Sequence, residues 1–150
     1  YPDLQVLLVG DGPARADLVR LAYELGIPDR VIISHSVEDT RIPLAAMEIF
    51  GAPALREGCG LAIVEAMAAG VPVVASNAGG PAEIIEDGRS GLLVPPDDPD
   101  PLEKAIRSLL ADPARRSRIA EAGRQRARNE FDMERVVQEV EAVYRRAVNA

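Results

Sequence analysis

Two glutamates, Glu57 and Glu65, stand eight positions apart, and Gly58, Cys59 and Gly60 follow the first directly. The run after them (Leu61, Ala62, Glu65, Ala66, Met67, Ala68, Ala69) has strong helix propensity and stops at Gly70. The glycines leave backbone N–H groups open at the expected helix N-terminus, the end of a helix that attracts anions such as phosphate. One carboxylate lies just before this helix and the other about a turn inside it. A carboxylate accepts two hydroxyls well, so such a pair beside a phosphate site suits a sugar nucleotide.

The elements that must position these residues alternate between strand and helix. Leu4 to Val9 is a short apolar run ending at Gly10, as a buried strand does. Ala14 to Leu25 has helical periodicity, with Leu18, Leu21, Ala22 and Leu25 on one face, and Gly26 and Pro28 end it. Arg30 to Ser34 reads as a second strand, Ile42 to Glu48 as a short helix, and Ile49 to Leu55 as a strand weakened by Gly51 and Pro53. After the helix at 61–70 come a strand from Val71 to Ser76, a tight turn from Asn77 to Gly80 and a short helix from Pro81 to Glu86. Leu92 to Val94 is the last strand. Three helices follow, Asp100 to Leu110, Ala114 to Asn129 and Met133 to about Val148. This alternation predicts a mainly parallel sheet covered on both faces. Ligands of such sheets bind beyond the strand carboxyl ends, where Gly10–Gly12, Glu57–Gly60 and Asn77–Gly80 all fall.

Composition narrows the function classes. A chain of 150 residues is one domain in size and can bury a core. Trp is absent and aromatics are few, so aliphatic side chains must build that core. The net charge of −7 argues against general nucleic-acid binding, which needs a basic face. Cys59 is the only cysteine, so an internal disulfide is excluded and a cysteine zinc site is not expected. No apolar run approaches the roughly 20 residues of a membrane helix.

Other groups have plainer readings. Gly10-Asp11-Gly12 is half of a dinucleotide fingerprint, but Arg15 stands where the third glycine belongs, leaving a tight turn or a ligand loop. His35 stands alone and reads as a loop or rim residue rather than a base. Cys59 reads as a small turn residue. Arg115, Arg116, Arg118, Arg124, Arg126 and Arg128 spread around one helix, which favours a solvated face over contact with an anionic membrane. Val136, Val137, Val140, Val143 and Tyr144 form an apolar stripe on the last helix that, left uncovered, promotes self-association.

Four segments together, VGDGPARADL (Val9–Leu18), REGCGLAIVEAMAAGVPVVAS (Arg56–Ser76), GGPAEIIEDGRSGLLVPPDDPDPLEKAI (Gly79–Ile106) and FDMERVVQEVEAVY (Phe131–Tyr144), resemble retaining GT-B glycosyltransferases of the family 4-like, group 1 type. The resemblance covers nearly the whole chain, in order, and matches the carboxyl-terminal, donor-binding half of that fold. A bare E-x7-E is common; followed by AMAAGVPVVAS and GGPAEII it is specific. The implied fold is α/β, a three-layer Rossmann-like parallel sheet with a helical carboxyl-terminal tail.

The resemblance implies roles. Glu57 lies by the donor sugar and its anomeric centre and is the catalytic candidate. The backbone from Gly58 through Gly60, Leu61 and Ala62 holds the sugar or distal phosphate. Glu65 accepts the ribose hydroxyls, and the main chain at Ser36 and Val37 contacts the base. The donor is a UDP-, GDP- or ADP-sugar, with neither cofactor nor metal. The expected place is the cytoplasm, or the inner face of the membrane as a peripheral protein. Family members carry an arginine and a lysine before the VGDGP segment and an amino-terminal acceptor domain, so residues 1–150 are expected to be a donor-binding fragment that does not transfer sugar alone. The middle also departs from the pattern, with His35 for a glycine, Glu48 for an aspartate and Ala54 for a serine. The competing readings are a non-catalytic α/β module and a GT-B nucleotide-sugar epimerase, the latter lacking the carboxylates and histidines it needs.

Overall fold

The computed structural model describes residue 1 and residues 3–148, which form two compact units, Tyr1–Pro43 and a second from Leu44 onward. In the first unit, β1 (Val6–Val9) and β2 (Val31–Ser34) pair in parallel, from Val6 opposite Val31 to Val9 opposite Ser34. The crossover is α1 (Arg15–Glu24) and a 3-10 turn at Pro28–Arg30. Of the stripe expected on α1 only Ala22 is buried; Leu18, Leu21 and Leu25 are exposed. A two-stranded sheet is too narrow to cover the whole stripe, since strands add only about 4.8 Å of width each. Arg15, Val19 and Ala22 instead line a shallow cleft with Val31 and Ile33.

α2 (Arg41–Ala45) lies across the boundary between the units and is shorter than the sequence predicts. A turn closed by Met47 N–H on the Leu44 carbonyl ends it. The second unit then runs β3 (Phe50–Ala52), α3 (Leu61–Ala68), β4 (Val73–Ser76), α4 (Pro81–Ile84), β5 (Leu92–Val94), α5 (Pro99–Ala111), α6 (Pro113–Glu130) and α7 (Met133–Val148). Its sheet is all parallel in the order β3-β4-β5. The strands thus fall into two hydrogen-bonded sheets where the sequence predicts one, and β3 keeps only three of the residues expected, ending before Pro53, which has no N–H for a ladder.

β4 is buried on both faces, which is why it reads as an unbroken apolar run. Val73 and Ala75 join one core cluster with Ile63, Ala66, Met67 and Ile84. Val74 points the other way, into a cluster with Leu92, Val94, Leu109 and Ile119. Fully buried side chains such as Ile63, Met67 and Leu109 each contribute roughly 1.5–3 kcal/mol. α6 spans both clusters through Ile119 and Ala127. Its start and that of α5 are both capped: Asp98 accepts from Asp100 N–H at 3.0 Å, Asp112 accepts from Arg115 N–H at 2.9 Å, and a proline follows each.

On α7 no described residue is buried, so the valine stripe with Tyr144 lies exposed. Among the described residues, no helix is long and apolar enough to cross a membrane.

Candidate functional site

In the second unit the turn before α3 and the turn after β4 meet, as their shared place at strand carboxyl ends predicts. Glu57 forms an isolated parallel bridge with Gly79. Its N–H donates to the Ala78 carbonyl at 3.0 Å, and its carbonyl accepts from Gly80 N–H at 3.0 Å. The approach is close enough to require glycine. A Cβ on Gly79, where φ is +91°, would lie 2.6 Å from the Glu57 carbonyl oxygen, and one on Gly80 would collide with the Gly58 carbonyl oxygen. Backbone proximity is therefore the function of this glycine pair in the fold.

The Glu57 side chain bends back so that Oε1 accepts from Gly60 N–H at 3.1 Å. The Gly60 N–H, open by sequence reasoning, is thus occupied by the first glutamate. Gly60 sits in the left-handed region at φ 65° and turns the chain into α3. Its carbonyl accepts from Ile63 and Val64 N–H at 2.9 and 3.2 Å. The N–H groups of Leu61 and Ala62, both exposed residues, keep no partner among the described residues, as the first turn of a helix dictates. Glu65 is exposed on α3, and Glu57 is half-buried. This corner thus has two unpartnered N–H donors at a positive helix end, with a carboxylate before them and another on the helix. Gly58 and Cys59 lie exposed in the connecting turn.

Ser36 and Val37 belong to the first unit, in the exposed segment after β2. Here the β1–α1 turn holds the end of β2. Asp11 Oδ2 accepts from Ser36 N–H at 2.8 Å and from Ser36 Oγ–H at 2.7 Å, and Asp11 Oδ1 pairs with His35 Nδ1 at 2.7 Å. The Ser36 donors, helped by His35, hold the Asp11 carboxyl far below the usual carboxylate range. Gly10 N–H donates to the Ser34 carbonyl at 3.2 Å, and the Arg15 guanidinium donates to the Ile33 and Ser34 carbonyls at 2.9 and 3.3 Å. Sequence reasoning leaves Asp11 in a tight turn or a ligand loop and misses this clamp. The parallel register is the available signal, because pairing Val9 with Ser34 sets Asp11 beside His35 and Ser36.

Arg126 does more than the solvated face expected of its helix. Its side chain is only 16% exposed, and it donates to the carbonyls of Ile84 at 2.6 Å and Glu83 at 3.1 Å while pairing with Glu86 and Glu130. It therefore ties α6 to the end of α4, the helix that starts at the Gly79–Gly80 turn. Arg115, Arg116 and Arg124 also bond within the fold, to Ser108, Glu48 and Glu121. Among the described residues no group of three or more His, Cys, Asp or Glu could hold a metal ion.

The sequence model of the family described as "Glycosyl transferases group 1" matches residues 1–126. The chain belongs to this family. It is 36% identical over 135 residues to the lipopolysaccharide core biosynthesis glycosyltransferase LpsE of Rhizobium meliloti (strain 1021), a match covering 90% of this chain and 40% of that protein. The crystal structure of Anabaena Alr3699/HepE in complex with UDP-glucose superimposes with a TM-score of 0.91 at 29% identity, covering 96% of this chain and 41% of that one. The carboxyl-terminal domain of a glycosyl transferase group 1 family protein (LpcC) from Francisella tularensis superimposes with a TM-score of 0.79 at 28% identity, covering 89% of this chain and 72% of that one. The group 1 chain thus has the α/β, Rossmann-like architecture of GT-B glycosyltransferases and spans under half the length of the curated relatives it matches.

Proposed function

We propose that this chain supplies the donor site for glycosyl transfer from a nucleotide-diphospho-sugar, with retention of anomeric configuration. The observation that carries the reading is the corner at α3, where Gly79 and Gly80 brace the Glu57–Gly60 turn and the Leu61 and Ala62 N–H groups keep no partner among the described residues. In this reading those N–H groups and the helix dipole receive a phosphate or the sugar. As the glycosidic bond breaks, the pyrophosphate leaving group gains charge, and donors already oriented stabilise it without reorganising. Glu57, held by its contact to Gly60 N–H, stands by the sugar as a fixed charge rather than a nucleophile. Glu65 accepts the ribose hydroxyls, and Val37 and Ser36 meet the base through their main chain.

The acceptor is chosen elsewhere, by an amino-terminal half of the kind that the longer relatives leave room for. The chain alone therefore binds donor and does not transfer sugar. The isolated carboxyl-terminal domain from Francisella tularensis, with its 72% coverage, supports a donor half that folds as a separate piece.

Calorimetric titration of residues 1–150 with UDP, GDP and ADP tests the reading. Saturable binding of one of them is expected, weakened roughly tenfold or more by Glu65→Ala, since hydrogen bonds to a charged group are worth about 1.5–3 kcal/mol. No binding at millimolar nucleotide overturns it.

A further inference from the structure

We infer that Asp11 is a positioning residue for recognition of the nucleobase in a nucleoside diphosphate, acting through the main chain at Ser36 and Val37. The inference rests on the reading of those two residues as the base-contacting segment. Four contacts of the first unit carry it. Asp11 accepts both hydrogen bonds that Ser36 can donate, from N–H at 2.8 Å and Oγ–H at 2.7 Å, and pairs with His35 Nδ1 at 2.7 Å. Ser34 Oγ–H donates to the His35 carbonyl at 3.2 Å. Both donors of Ser36 and the carbonyl of His35 are therefore already engaged within the protein.

Recognition then falls on what is left, the Ser36 carbonyl, which has no partner among the described residues, and the peptide groups of Val37. The N–H and C=O of Val37 have no partner among the described residues, and the residue is 40% exposed. One residue thus offers a donor, an acceptor and an apolar surface, which are the features needed to pair with the edge of a base and cover its face. The orientation of that residue is set one position upstream, where Ser36 is anchored. The anchor is itself anchored, because Gly10 N–H and the Arg15 guanidinium hold the last carbonyls of β2 against the turn that carries Asp11. A carboxylate that accepts several hydrogen bonds at once fixes a loop better than a neutral group, since charge-assisted bonds are roughly twice as strong. Asp11 touches no base in this scheme; it chooses among bases by holding the Val37 peptide groups in one geometry.

The test is calorimetric titration of the 150-residue chain with UDP, GDP and ADP, for the parent, Asp11→Ala, Asp11→Asn and Glu65→Ala, each with a melting curve. The parent is expected to prefer one base. Asp11→Ala weakens the preferred nucleotide roughly tenfold and brings the other two close to it, the size expected for one oriented hydrogen-bond pair. Asp11→Asn keeps one acceptor oxygen and gives an intermediate ratio, which serves should the alanine variant not fold. Glu65→Ala weakens all three nucleotides alike and leaves their ratio unchanged, because every nucleotide has the same ribose. An unchanged ratio in Asp11→Ala and Asp11→Asn, with Glu65→Ala still weakening binding, overturns this inference and leaves the donor reading standing. A parent that binds all three bases equally also overturns it. A parent that binds none overturns the donor reading, and the inference falls with it.

Discussion

Gly80→Ala probes whether the two turns at α3 really depend on backbone contact. The backbone of Gly80 is helical, at φ −46° and ψ −41°, so alanine adopts it without strain. Taken alone, the exchange stabilises by about 0.4–1 kcal/mol, because alanine has less freedom to lose from the unfolded chain. The new methyl, however, runs into the Gly58 carbonyl oxygen and comes within 3.1 Å of its carbon. That neighbour is backbone and cannot rotate away, and overpacking of this kind costs about 1–3 kcal/mol. The net expectation is a loss of up to about 2.6 kcal/mol, or a melting point lower by up to about 10 °C for a domain of this size, which is about 1–3 kcal/mol below a glycine exchange free of the contact. Gly58→Ala is the matched control. Gly58 is exposed, and a Cβ there meets nothing within 4 Å, so only the unfolded-chain effect applies and the variant should equal the parent or exceed it by up to about 1 kcal/mol. Thermal and urea unfolding of the parent and both variants measures this directly. Nucleotide titration of folded Gly80→Ala should also show weaker binding, because the displaced carbonyl belongs to the turn that leads into Leu61 and Ala62. Equal stability of Gly80→Ala and Gly58→Ala would refute the reasoning, since only the contact distinguishes them.

Arg126→Ala should lower stability by about 1–3 kcal/mol in urea unfolding, because the carbonyls of Ile84 and Glu83 lose their donor; the ion pairs to half-exposed Glu86 and Glu130 add little. Arg126→Lys should recover only part of this, since an ammonium cannot reproduce the planar fork, and full recovery would count against the account. Acid sensitivity gives a further check. Asp11 has a folded pKa depressed below its unfolded one, so its contribution is complete above the unfolded value of about 3.9 and is lost only as pH falls through the depressed folded value. The Asp11 carboxyl carbon resonance should therefore stay at its ionised position down to about pH 3, and a midpoint near 4 would contradict the clamp.

The alternation of strand and helix is legible in the chain because each signal is local. Apolar runs of about four to six residues ending at Gly10, Ser34 and Ser76, and the Asp-Pro pairs at 98–99 and 112–113, mark strands and helix starts through backbone preferences that act within a few residues. The spacing of Glu57 and Glu65 around Gly60 marks a helix N-terminus by the same short-range preferences, and α3 begins at Leu61. The limits of α2 and β3 are less legible, since tertiary pairing, not propensity, decides where a short element stops.

What the sequence determined by itself was the order of the elements, the family to which they belong and the helix start beside Glu57. Only the tertiary structure decided which backbone groups remain open there. It gave Gly60 N–H to Glu57, brought Gly79 and Gly80 against Glu57 and Gly58, and joined Asp11 to Ser36 across 25 positions of chain. The last two of these contacts join residues far apart in sequence, and they form only when parallel strands fall into one register, which no local pattern records.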